Sequence, residues 1–217
     1  MDLYTPVKLG YSDKKEQKDG MLQYGYYRDN SLSNANEQVY WNPTEHKLLV
    51  NVSGTHFYDQ NGNFSLSDIG TDAYLAAGHL KETERYKEGK DILDKSKRKY
   101  GVDNAIVTGH SLGAGVANGI ASGKDKVYNV DSAYTIGQKA RENVKNYNTK
   151  GDIVSLFSPW GNSQTLANPT WKTGNWLWDT YNAHGVDNIK NQPIYIDDGM
   201  SSIPIDNSNQ RRYLVPT

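Results

Sequence analysis

The chain of 217 residues is long enough to enclose one sizeable hydrophobic core, and we expect a single domain over 1–217. Its 24 basic residues nearly balance 25 acidic ones, so overall charge does not favour nucleic acid or an anionic membrane as a partner. The sequence has no cysteine, which excludes disulfides, thiolate metal sites and a cysteine nucleophile, and it has no apolar run long enough to span a bilayer.

The N-terminal segment is rich in Tyr, Asn, Ser, Asp and Lys and shows little hydrophobic periodicity. We predict that residues 1–37 form a loop-like, peripheral arm without chemistry of its own. A catalytic core is expected at 38–197 and a C-terminal tail at 198–217. The first twenty residues lack the apolar stretch behind a basic start that marks an export signal. The cytoplasm is therefore favoured, although the compartment stays open.

The first regular elements are predicted from residue 38 onward. QVYWN, a turn at Asn42-Pro43 and HKLLVNV indicate a hairpin whose second strand is buried. Between 72 and 100, apolar residues recur near helical spacing among many charges. This region predicts one long amphipathic helix, or two with a break at Gly89.

Strands and helices alternate through the middle of the chain. A strand-like run at 104–108 is followed at once by GHSLGAG and by the small-residue segment VANGIASG, and KVYNV and ENVKNYN indicate two further strands. Such alternation predicts an α/β fold, in which a mostly parallel sheet is covered by helices on both faces.

The segment GHSLG has the pattern of a nucleophile elbow. A serine hydroxyl is a poor nucleophile, so acyl-transfer sites hold its oxygen beside a histidine base and near backbone N–H donors. A tight strand-to-helix turn does this, and it leaves no room for side chains two residues on either side of the serine. Gly109 and Gly113 occupy these positions around Ser111. Five letters are a weak signal alone, but the strand before them supports Ser111 as the nucleophile.

The base and the acid are expected downstream of Ser111, because the chain order in this fold is serine, acid, histidine. His184 is the only histidine there and is the candidate base. The upstream histidines, His110 included, are expected to be surface or packing residues. The carboxylates between the two candidates are Asp125, Asp131, Glu142, Asp152 and Asp179. We favour Asp152, which follows ENVKNYN through a short connection, and Asp131 at the end of KVYNV is its rival.

Together these motifs resemble the class 3 lipase family of α/β-hydrolases, over about residues 48–189. GHSLGAG is the most specific of them. VSGT at 52–55 is similar to the family's strand-end R-G-T or R-G-S, and Ser53 stands where the family often has Arg. NTKGDIVSLFSP is similar to its N-x-x-D-x-V-x-x-L-P, and HGVDN at His184 to its H-x-x-x-N-like ending. The resemblance implies an oxyanion hole made by the backbone N–H groups of Thr55 and Leu112.

The sequence therefore predicts a serine hydrolase that cleaves carboxylic ester bonds, a lipase acting on acylglycerols or related lipid esters, with no metal or organic cofactor. A phospholipase A1, a soluble carboxylesterase or an acyltransferase would use the same three residues. A binding protein on this fold without turnover is the alternative from another class, and a serine peptidase fits the Thr55 region less well. The sequence does not indicate the oligomeric state.

The tryptophans form the last candidate feature. Four of the five lie between 158 and 181, in a segment too irregular for a core helix: Trp160, Trp171, Trp176 and Trp178. Since this segment lies between the candidate acid and base, we expect Trp160, Trp176 and Trp178 to line or cover an acyl-binding cleft. The alternative is that they cap the hydrophobic core under a long loop.

Overall fold

A computed structural model of the protein describes residues 1–55, 78–133, 141–152, 154, 174, 179 and 182–196, together with the backbone of 163–165. Within these ranges, seven strands form one sheet in the order of the chain. They are β1 (Tyr27–Arg28), β2 (Glu37–Asn42), β3 (Lys47–Val52), β4 (Ile106–His110), β5 (Lys126–Val130), β6 (Val144–Asn148) and β7 (Ser163–Thr165). β1, β2 and β3 pair antiparallel, and every pairing from β3 to β7 is parallel.

Helices cover both faces of this sheet. One face carries α1 (Tyr4–Leu9), α2 (Lys14–Leu22) and a 3-10 turn at Val186–Ile189. The other carries a 3-10 turn at Leu80–Glu82, α3 (Glu84–Tyr100) and α4 (Leu112–Ile120). The predicted α/β class is confirmed, and the sharp turn from β4 into α4 makes the fold that of an α/β-hydrolase. None of the helices in these ranges has the length and apolar character needed to cross a bilayer.

Alternation along the strands divides the core into two layers. Leu49 and Ile106 face α1 and α2, whereas Val50 and Val107 face α3 and α4. The predicted hairpin is confirmed, with Val39 opposite Val50 in its register. The predicted strands at KVYNV and ENVKNYN are confirmed as β5 and β6.

Buried polar side chains link neighbouring strands of the sheet. Asn51 donates from Nδ2 to Gln38 Oε1 at 2.7 Å, and Thr108 donates from Oγ1 to Asn51 Oδ1 at 2.8 Å. Further along the sheet, Asn129 donates to Asn146 Oδ1 at 3.0 Å. Each pair is fully enclosed, so a slip in strand register would leave several buried polar groups without partners.

The prediction of a loop-like arm at 1–37 is wrong in its local structure. This segment contains α1, α2 and β1, and its side chains Leu3, Met21 and Tyr26 are almost completely buried. The carboxylate of Asp13 caps α2 by accepting the N–H groups of the first helical turn at 2.8 Å. The segment therefore contributes helices to one of the two core layers.

The possible break at Gly89 is also wrong, because α3 runs through this residue to Tyr100. Gly89 serves close packing of two helices: a Cβ there would lie 3.3 Å from Val116 Cγ1 of α4. Thr83 caps the start of α3, and Gly101, with a φ of 65°, ends it in the left-handed conformation. The earlier part of the predicted helix, at 72–77, and the predicted tail at 198–217 lie outside the described residues.

Candidate active site

Ser111 lies at the turn between β4 and α4, with a φ of 57° and a ψ of −130°. A residue with a side chain adopts such a conformation at a cost of about 1–3 kcal/mol, so the surroundings must hold it. The neighbouring strand does this: the Ser111 N–H donates to the Val130 carbonyl at 3.1 Å, and the Ser111 carbonyl accepts from the Ala133 N–H at 3.1 Å. The turn has the strained geometry of a nucleophile elbow.

The two glycines of the elbow stand where backbones approach closely. A Cβ on Gly109 would lie 2.6 Å from the Cα of Ala114. A Cβ on Gly113 would lie 2.3 Å from the Val52 carbonyl oxygen and 2.4 Å from that of Ser53. The first turn of α4 therefore rests directly on the end of β3, as only glycine allows.

Ser111, His184 and Asp152 come together at the carboxyl end of the sheet. His184 Nε2 lies 2.8 Å from Ser111 Oγ, and His184 Nδ1 lies 2.9 Å from Asp152 Oδ1. All three residues are buried. A carboxylate only accepts, so Nδ1 carries the imidazole proton and Nε2 is left to accept from the serine hydroxyl.

The electrostatic surroundings make the imidazolium form of His184 more stable than that of a free histidine. Burial opposes protonation of the ring, but the charge and hydrogen bond of Asp152 outweigh it and raise the pKa of His184 above its usual value. A raised pKa makes the ring a stronger base towards a hydroxyl proton, and a neighbouring carboxylate stabilises the imidazolium that results.

Asp131, the rival acid, lies in the same buried site but has other partners. Its two carboxylate oxygens accept from the Thr149 N–H at 2.6 Å and the Thr149 hydroxyl at 3.1 Å. Its backbone has a φ of 45°, which is unusual for aspartate. Burial, with the nearby charge of Asp152, raises the pKa of Asp131 to about 8. Among the described residues, the carboxylate that bonds His184 Nδ1 is therefore that of Asp152. The carboxylate of Asp131 instead bonds Thr149, in the loop that follows β6.

His110, Asp131 and His184 place one potential metal-ligand atom each within 4.8 Å of one another. Both ring nitrogens of each histidine are already engaged in hydrogen bonds. Those of His110 lie 2.6 Å from the Tyr11 hydroxyl and 2.9 Å from the His184 carbonyl oxygen. Because a metal needs free lone pairs directed at one point, these contacts favour a hydrogen-bonded network here over a metal site.

The predicted oxyanion residues lie on either side of the elbow. Leu112 begins α4, where the first N–H groups of a helix lack partners within it and attract negative charge. Thr55 follows the end of β3, and a Cβ on Gly54 would lie 2.9 Å from Ser111 Cβ, so this backbone lies against the serine. Since α4 also rests on Val52 and Ser53, the start of α4 and the backbone of 52–54 form one compact wall beside Ser111.

Two residues that hold this wall were missed by the sequence analysis. Arg85 of α3 donates from Nη2 to the Ser53 carbonyl at 2.6 Å, and its Nε lies 4.0 Å from the buried carboxylate of Glu37. Tyr11, from the segment between α1 and α2, accepts the Gly54 N–H at its hydroxyl at 2.8 Å. Neither residue belongs to a local motif, so no sequence pattern marks them. The four tryptophans at 160, 171, 176 and 178 lie outside the described residues.

No family model matches the sequence, and no curated protein matches it either. Among solved structures, the chain is similar to the Lip2 lipase of Yarrowia lipolytica at 14% sequence identity, with 68% of each chain covered and a TM-score of 0.38. It is also similar to a mutant of MDLA from Penicillium cyclopium at 17% identity, over 79% of this chain and 78% of that one, with a TM-score of 0.43. Both likenesses are remote, so the case for function depends on contacts within this chain.

Proposed function

We propose that the protein is a serine hydrolase that cleaves carboxylic ester bonds, with Ser111 as nucleophile, His184 as base and Asp152 as the acid. The observation that carries the proposal is the pair of hydrogen bonds, at 2.8 Å and 2.9 Å, that joins the three side chains at a strained elbow. A positive φ at serine costs conformational free energy, and here this conformation places the hydroxyl oxygen within hydrogen-bond distance of a base.

The reaction follows from the positions of the protons. His184 Nε2 takes the proton of Ser111 Oγ as this oxygen attacks the ester carbonyl, and Asp152 holds the imidazolium that forms. The carbonyl oxygen becomes an oxyanion, which we assign to the N–H groups of Thr55 and Leu112. Each such donor is worth roughly 3 kcal/mol of barrier when it is already in place. The imidazolium then protonates the leaving alcohol, and water releases the acyl group by the same steps in reverse.

The substrate class is proposed from the motifs rather than from a cleft. GHSLGAG and the three accompanying motifs support a class 3 lipase-like enzyme acting on acylglycerols or related lipid esters. A phospholipase A1 or a soluble carboxylesterase would use the same chemistry. Contact of the acyl chain with Trp160, Trp176 or Trp178 stays a prediction, because these residues lie outside the described ranges. A chain-length series of p-nitrophenyl esters, run beside defined phospholipids, separates these substrate classes.

The test of the nucleophile and base uses Ser111→Ala and His184→Ala. Each should lower kcat by several orders of magnitude while the circular dichroism spectrum and melting temperature stay close to wild type, because triad members act as a unit. A fluorophosphonate probe should label the wild type and fail to label Ser111→Ala. Ser96→Ala is the matched control, since the Ser96 hydroxyl is buried and its hydrogen-bond partner among the described residues is the Ile92 carbonyl within α3. Near-wild-type turnover in either test variant would contradict the proposal.

A further inference from the structure

The hydroxyl of Tyr11 stands between three parts of the active site. The Gly54 N–H donates to it at 2.8 Å, and it lies 2.6 Å from His110 Nδ1. The other ring nitrogen of His110, Nε2, lies 2.9 Å from the backbone carbonyl oxygen of His184. These contacts connect the end of β3, the elbow and the segment that carries the base, although the residues are far apart in the sequence.

Only one assignment of donors and acceptors fits this series of hydrogen bonds. The His184 carbonyl can only accept, so His110 Nε2 must carry a proton. Burial, helped by the nearby His184, lowers the pKa of His110 to about 3, so the ring is neutral and carries that proton alone. Nδ1 therefore accepts, and its donor is the Tyr11 hydroxyl. Tyr11 in turn accepts from Gly54, so every group in the chain is satisfied.

The peptide group between Ser53 and Gly54 is held at both ends. Arg85 donates to its carbonyl oxygen at 2.6 Å, and Tyr11 accepts from its N–H at 2.8 Å. With both polar ends bonded, the plane of this peptide cannot rotate without breaking a buried hydrogen bond. The next peptide in the chain carries the Thr55 N–H, so its direction depends on this plane.

We propose that Tyr11 is a positioning residue for ester hydrolysis: its hydroxyl orients the peptide that leads into Thr55 and, through His110, holds the main chain of His184. The inference rests on the proposed function. An oxyanion donor is effective only at about 2.7–3.1 Å from the oxygen that becomes charged. The N-terminal segment therefore has a part in the reaction, because its residue Tyr11 orients the peptide that leads into Thr55. The elbow residue His110 is then a link in the site rather than a packing residue.

The test is Tyr11→Phe, which removes the hydroxyl and keeps the ring. We expect kcat on a p-nitrophenyl ester to fall about ten- to a hundredfold with KM changed less than about threefold, since the loss of a whole donor costs about 10²–10³ in kcat. Tyr40→Phe is the matched control. Tyr40 is fully buried in the same core layer, and its hydroxyl has no hydrogen-bond partner among the described residues, so this variant should keep wild-type kinetics.

A readout independent of turnover comes from nitrogen NMR of histidine in the intact protein. Wild-type His110 should appear as the neutral Nε2–H form, and in Tyr11→Phe its Nδ1 resonance should shift because the hydrogen bond is lost. A proton on Nδ1 would overturn the inference. So would a folded Tyr11→Phe whose kcat lies within twofold of an active wild type. A wild type without ester turnover or probe labelling would instead overturn the proposed function, and with it the catalytic role of Tyr11.

Discussion

At the scale of single residues, the site contains two buried aspartates that have different hydrogen-bond partners. Asp152 bonds His184 Nδ1 at 2.9 Å, whereas Asp131 bonds the Thr149 backbone and hydroxyl. Two carboxylates in one buried site do not ionise independently, because each charge opposes the other. Burial, with the charge of Asp152, raises the pKa of Asp131 well above its ordinary value, which favours the protonated form of Asp131.

This difference in partners predicts different results for the two amide variants, Asp152→Asn and Asp131→Asn. Asp152→Asn should lower kcat by about 10⁴, because the amide no longer holds the imidazole in its working tautomer. Asp131→Asn should keep kcat within about tenfold of wild type at pH 7, since an amide resembles the protonated carboxyl that it replaces. Steady-state kinetics on one ester decides between them. The opposite ranking would make Asp131 the acid.

The same Asp131→Asn variant should show its effect on stability at high pH. A carboxyl whose pKa is raised in the folded protein adds most to stability below its unfolded pKa of 3.8, and this contribution is lost as pH rises through about 8. Asparagine has no such titration. The melting temperature of the variant relative to wild type should therefore be higher at pH 9 than at pH 5. An equal difference at both pH values would mean that Asp131 is charged throughout.

At the scale of elements, the contact between α4 and β3 determines where the serine is held. This contact depends on Gly113, because a Cβ there would clash with the carbonyl oxygens of Val52 and Ser53, at distances of only 2.3 Å and 2.4 Å. Such atoms belong to the backbone and cannot turn aside as a flexible side chain can. The helix would have to move away from the strand, and Leu112 would move with it.

Gly113→Ala should therefore destabilise the protein by about 3 kcal/mol or more in urea unfolding, and lower kcat as well. Gly123→Ala is the control for the glycine-to-alanine change itself. Among the residues that the structure describes, none would lie within 4 Å of a Cβ on Gly123, and we expect a change within about 0.5 kcal/mol. A Gly113→Ala variant as stable and active as Gly123→Ala would show that the elbow tolerates a wider separation of helix and strand.

Elements with a strong local pattern could be predicted from the sequence. The hairpin at β2 and β3 and the turn from β4 into α4 carry their own signals in apolar runs and glycines. The arm could not be predicted, since α1 has only six residues and includes Pro6, and α2 has nine with Gln17 and Met21 as its buried side chains. Helices this short depend on tertiary packing rather than on their own periodicity.

The residues of the candidate site likewise differ in whether the sequence could predict them. Ser111, His184 and Asp152 could be selected because the order of residues along the chain limits the choices. Tyr11 and Arg85 could not, because they meet Gly54 and Ser53 across 43 and 32 residues of sequence. Contacts of this kind are created by the packing of α1, α2 and α3 on the sheet, and no pattern of neighbouring letters records them.

At the scale of the whole molecule, the N-terminal segment and the chain after His184 are joined directly. The Leu3 N–H donates to the Ile194 carbonyl at 3.0 Å, and the Ile196 N–H donates to the Met1 carbonyl at 2.9 Å. Lys8 also forms an ion pair with Asp187 at 3.0 Å, exposed and therefore of small energetic value. The segment that carries His184 thus packs against residues that we predicted from the sequence to form a peripheral arm.

Because these two segments are hydrogen-bonded to each other, a destabilising substitution in α2 should lower the free energy of unfolding of the whole protein. Two adjacent residues of α2 provide the test. Met21 is fully buried in the core layer beneath α2, whereas its neighbour Leu22 is 40% exposed. Met21→Ala should lower the free energy of unfolding by about 2–5 kcal/mol, and Leu22→Ala by much less, because only the first leaves a cavity. Urea unfolding should show one transition in which tryptophan fluorescence and ester hydrolysis are lost together. If 1–37 were peripheral, Met21→Ala would split off an early transition that leaves hydrolysis intact.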